Sequence, residues 1–64
     1  MNEAERLLDM AIAEENRAKA FARQASAAAD AQLWDLNERL DGLAREAAAE
    51  AERLFDRAVK ASRG

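Results

Sequence analysis

Apolar residues recur along this chain at the three- and four-residue steps of an α-helix, in two separate stretches. In the first, Ala4, Leu7, Leu8, Met10, Ala11, Ala18, Phe21, Ala22, Ala25 and Ala29 share one broad face of a helical wheel. Glu5, Asp9, Asn16, Arg23 and Gln24 lie opposite. In the second, Leu33, Leu36, Leu40, Leu43, Ala44, Ala47, Ala51, Leu54, Phe55, Ala58 and Ala61 share a face. Asp35, Glu38, Arg45, Arg53, Asp56 and Lys60 oppose it. The pattern predicts a helix over about 3–29, a turn near 30–33 and a helix over about 34–62.

Charge supports the division. Residues 1–15 carry five acids and one base, and residues 16–29 carry three bases and no acid. The gradient then restarts: residues 30–50 hold six acids and two bases, and residues 51–64 hold four bases and two acids. Peptide dipoles leave partial positive charge at a helix N-terminus and negative charge at its C-terminus, so acids belong first and bases last. Seeing that order twice predicts two helices. An antiparallel hairpin also sets the basic end of the first beside the acidic start of the second.

The turn has several candidate markers. Asp30 could cap the second helix, and Asp35 with Glu38 has capping-box spacing. Asp41-Gly42 is a rival turn dipeptide. It would cut the Leu36–Leu40–Leu43 stripe, so Gly42 is placed inside the second helix, on its outer face. One unbroken helix in a long coiled coil is the third alternative, since no Pro or Gly forces a break near residue 30.

Composition narrows the chemistry. Half of the 64 residues are hydrophobic, but 18 of these are Ala. The chain has no Pro, Cys, His or Tyr. Disulfides, Cys-based zinc sites and Cys–His or Ser–His catalysis are therefore excluded. Few β-branched residues argue against a β fold. The net charge of −3 gives no electrostatic reason to expect nucleic-acid binding. The acidic start is unlike a signal peptide, and no apolar run is long enough to span a bilayer. The chain reads as one non-enzymatic, cytoplasmic, all-α domain over 1–64, with no cofactor and no membrane partner.

Size predicts a partner. Below roughly 70–80 residues one core supplies only about 3–5 kcal/mol unless it is stapled or oligomerised. Each apolar face is also wider than one seam requires. Two hairpins related by a twofold axis, most simply antiparallel, would share one core as a four-helix bundle. The expected dimer core is Leu7, Ala11, Ala18, Phe21, Ala25, Leu36, Leu40, Leu43, Ala47, Leu54 and Ala58. The expected function is structural self-association. The regular pattern, free of Pro, is also what a designed or simplified sequence would show.

Two resemblances add alternatives. Glu14 precedes Phe21 by two helical turns, and Ala47-Ala48-Ala49-Glu50 precedes Ala51-Glu52-Arg53-Leu54-Phe55. This resembles the rubrerythrin-type, ferritin-like hairpin over roughly residues 6–60. There a first-helix Glu precedes a Tyr, and the second helix carries Glu-x-x-His. The resemblance implies half of a four-helix bundle. The ligand pair is not retained, because Ala47 stands for the Glu and Glu50 for the His. A carboxylate site for Fe(II), Mn(II) or Ca(II), built by Glu14 and Glu50 of two subunits, is the alternative that remains, without a nitrogen donor. The other reading of these acids is a polar layer or side chains that reach solvent at the seam edge. In length and architecture the chain also resembles the Rop-type regulators of plasmid copy number, which implies RNA contact. Arg17, Lys19 and Arg23 form a small basic cluster at the end of the first helix and would carry it, although a solvated face complementing the dipole is the simpler reading of them. Trp34 falls off the apolar face near the turn, as a cap over the bundle end or an anchor for a partner.

Overall fold

A computed structural model describes residues 2–63. Two helices, α1 (Glu3–Asp30) and α2 (Trp34–Arg63), pack side by side as a hairpin whose Cα trace measures 48 × 15 × 9 Å. The two-helix division and the turn near residue 30 agree with the apolar and charge patterns. The single long helix and the Asp41-Gly42 turn are overturned: Gly42 lies inside α2, and a Cβ built there meets nothing within 4 Å.

The α1 start is fixed by a residue that the charge and apolar patterns do not flag. Asn2 is the N-cap, and its Oδ1 accepts from the Glu5 backbone N–H at 2.8 Å. Its Nδ2 contacts the Glu5 carboxylate at 3.5 Å. One otherwise unpaired helical N–H is thereby satisfied.

The turn takes only Ala31, Gln32 and Leu33. Leu33 N–H donates to the Ala28 carbonyl at 2.8 Å, and Gln32 N–H to the Ala29 carbonyl at 2.9 Å. This pair of bonds is a Schellman motif. It demands a left-handed residue after the cap, and Gln32 supplies it with φ 62°. The Leu33 carbonyl then accepts from Asn37 N–H at 2.9 Å, opening α2.

The expected caps of α2 are corrected by this geometry. Asp30 is the last residue of α1, and Asp35 sits in the first turn of α2. The N-cap position belongs to Leu33, whose side chain has no acceptor. Its place is dictated by the Schellman bond it also makes. Asp35 instead sets negative charge against the positive end of the α2 dipole. The α1 gradient is coarser than expected too, for its last turn holds no base, whereas that of α2 holds Lys60 and Arg63.

The interface follows a heptad. Ala4, Leu7, Ala11, Glu14, Ala18, Phe21, Ala25 and Ala28 step alternately by three and four along α1, and all are buried or half-buried. Asn37, Leu40, Ala44, Ala47, Ala51, Leu54, Ala58 and Ala61 do the same along α2. Such a period keeps a seam continuous between two helices that wrap around each other. Leu7 and Ala11 pack with Leu54 and Ala58 near the termini, and Ala25 and Ala28 with Leu40 near the turn. The helices are therefore antiparallel, with Leu7 level with Ala58 and Ala25 level with Leu40. Between these clusters the floor of the seam is Ala18, Ala47 and Ala51, all buried. Small side chains there let the backbones approach closely.

Candidate interaction surface

A seam built mostly of alanine leaves the larger side chains outside it. Of the thirteen large apolar residues from Leu7 to Val59, only Leu7, Leu40 and Leu54 are buried. Phe21 and Phe55 are half-buried. Leu8, Met10, Ile12, Leu33, Trp34, Leu36, Leu43 and Val59 are exposed.

The expected dimer core is accordingly divided by the fold. Leu7, Ala11, Ala18, Ala25, Leu40, Ala47, Leu54 and Ala58 are already covered by the partner helix of the same chain. Leu36 and Leu43 remain exposed, and Phe21 only partly covered. Leu8, Ile12 and Val59 lie outside that expected core. They sit just beside the seam, where a wheel drawn at 3.6 residues per turn does not separate inner from outer flank.

Two open grooves run along the sides of the hairpin. One is floored by Ala18, Ala44 and Ala51, rimmed by Glu15, Lys19, Arg45 and Glu52, and ended by Phe55. It continues past Phe55 to Leu8, Val59 and Ser62 at the terminal end. The opposite groove holds Glu14, Arg17, Phe21, Leu43 and Glu46. At the turn, Gln32 to Leu36 outline a separate shallow depression, and Trp34 is 63% exposed there. Trp34 does not cover the end of its own hairpin.

The carboxylates considered as metal ligands are held within their own helices. Glu14 lies in the seam and pairs with Arg17 at 3.5 Å. Glu50, half-buried beside the α2 seam, takes two hydrogen bonds from Arg53, at 2.6 and 3.1 Å. Among the described residues no three His, Cys, Asp or Glu side chains converge. The donor set of one hairpin does not fit the di-iron centre of the ferritin-like pattern.

The basic cluster is likewise partly engaged. The Arg17 guanidinium sits over the Phe21 ring, 5.5 Å from its centroid, while contacting Glu14. It shields the half-buried ring and satisfies the seam carboxylate at once. Lys19 pairs with Glu15 at 3.8 Å. Arg23 is exposed, with Phe21 and its arginine on another side of the helix. The three cations do not form one continuous surface: Lys19 rims one groove and Arg17 lines the other.

Among the described residues no helix is long and apolar enough to cross a membrane. Of the fold that the two resemblances imply, the two-helix hairpin is present. No protein family, curated protein or solved structure matches the chain.

Proposed function

We propose that this hairpin is a self-association module, two copies of which pair into a four-helix bundle. The observation that carries the reading is the inverted use of apolar residues. Alanine fills the intramolecular seam, and eight large apolar side chains are left exposed. Single exposed apolar residues are ordinary, but contiguous apolar faces on so small a chain mark an interaction site. Leu8 and Val59 share one groove with Phe55, so their exposure is contiguous and not scattered.

The energetics point the same way. A two-helix seam built on three buried leucines buries little large apolar surface for 64 residues. Pairing would cover more apolar area without ordering additional backbone. The module would therefore act as a scaffold or assembly element, with no reaction of its own.

Size-exclusion chromatography with light scattering tests the reading. The expected mass is twice the 7.0 kDa of one chain. A mass of 7.0 kDa at micromolar concentration, with full helicity by circular dichroism, overturns it.

A further inference from the structure

We infer that the partner is a second copy docked on the Glu15–Lys19–Arg45–Glu52 groove, with the two hairpins antiparallel and their turns at opposite ends. This rests on the self-association reading and adds its face and its topology.

Charge placement along the groove carries the argument. All four rim residues line the same groove. The register that levels Leu7 with Ala58 and Ala25 with Leu40 puts Glu15 and Glu52 on the terminal side of the hairpin midpoint. Lys19 and Arg45 lie on the turn side. Glu15 and Lys19 are equally far from Arg17, while Glu52 and Arg45 are equally far from the Ala48–Ala49 peptide. Both midpoints fall at one level of the hairpin.

A twofold axis perpendicular to the hairpin at that level would carry Glu15 onto Lys19 of the other copy, and Glu52 onto Arg45. Every rim charge then meets its opposite. The other twofold arrangement, with both turns at one end, sets acids level with acids and bases level with bases. Like charges brought together at an interface are strongly disfavoured.

Side-chain size agrees. The terminal half of this face carries Leu8 and the turn half Ala22, and the seven-residue repeat through Lys19 sets Ile12 and Ser26 on the same flank, so that Leu8 mirrors Ser26 and Ile12 mirrors Ala22. The antiparallel arrangement lays large on small, as close packing requires. The arrangement with turns together stacks large on large at one end and leaves the alanine end unfilled. The opposite groove offers no such match, because Arg17 lies at its midpoint and would face its own copy.

The test uses two complementary variants of the full chain. Glu15→Lys/Glu52→Lys makes the rim wholly basic, and Lys19→Glu/Arg45→Glu makes it wholly acidic. Each alone is expected to raise the dimer dissociation constant by about a hundredfold, from four exposed pairs changing sign. An equimolar mixture is expected to restore dimers, as heterodimers of twice the chain mass. That restoration reads the interface even if either variant alone loses helicity. Leu43→Ser, on the opposite groove, is expected to leave the dissociation constant unchanged. Spin labels at Gln32→Cys should lie about a hairpin length apart, near the 48 Å extent of the chain.

A parent chain that is monomeric defeats self-association itself. A dimeric parent with undisturbed charge variants, a Leu43→Ser variant that dissociates, or turn labels in contact overturns the face and topology alone.

Discussion

The side-chain amide of Asn37, in the first turn of α2, donates a hydrogen bond of 2.8 Å to the backbone carbonyl of Ala25, near the C-terminal end of α1. It is a polar tie across the seam, whose other polar member is Glu14, and it anchors Asn37, one helical turn before Leu40, to Ala25 of the cluster at the turn. A polar seam residue bonded across to the other helix favours the register that makes the bond, because a slip breaks it.

Asn37→Ala removes this bond and fills nothing. The expected cost is about 1 kcal/mol, read as a lower urea midpoint with an unchanged slope. Unchanged stability would show the bond to be dispensable. If the chain is a dimer, this and the following variants must be compared at one protein concentration.

Gln32→Gly should stabilise the hairpin. A left-handed conformation costs a non-glycine residue about 1–2 kcal/mol, and glycine escapes most of that while adding some unfolded-state entropy. Gln32 has φ 62° in a Schellman turn, so a net gain of roughly 1 kcal/mol is expected. A β-branched residue there, as in Gln32→Val, should lower the melting temperature instead.

Gly42→Ala should also stabilise, for a different reason. Gly42 is inside α2 and an added Cβ meets nothing within 4 Å. The gain expected from helix propensity is about 1 kcal/mol, or a rise of about 4–8 °C in melting temperature. A loss of stability would mean that another surface covers this position in the assembled protein.

Ala11→Leu probes the closeness of the seam. Ala11 is 0% exposed and touches the Leu7–Leu54–Ala58 cluster. A larger side chain must push the helices apart, at an expected cost of about 1–3 kcal/mol. The same substitution at exposed Ala13 should leave the urea midpoint nearly unchanged.

Much of the architecture was legible in the chain itself. The two apolar stretches and the repeated charge order determined two helices and placed the break within a residue or so of where it falls. The turn chemistry was not legible. The acidic residues near 30 suggest caps, yet the break is made by backbone bonds to Ala28 and Ala29 and by a left-handed Gln, a residue type with no special preference for that conformation. The Asn2 cap had a recognisable signal, an Asn three residues before a Glu at the start of an apolar pattern.

That each helix has an apolar side can be read from residue order alone, because periodicity is a local property of one helix. Which part of that side the other helix covers depends on how the two pack. Close antiparallel packing favours the smallest residues, since they let two backbones approach with least displacement. Ala11, Ala18, Ala25, Ala47, Ala51 and Ala58 therefore went inside, and Leu8, Ile12, Leu36, Leu43 and Val59 stayed out. The fold likewise separated Arg17 from Lys19 and joined Glu15, Lys19, Arg45 and Glu52 on one groove. Those groupings depend on how two helices are registered against each other, and no pattern within either helix contains that information.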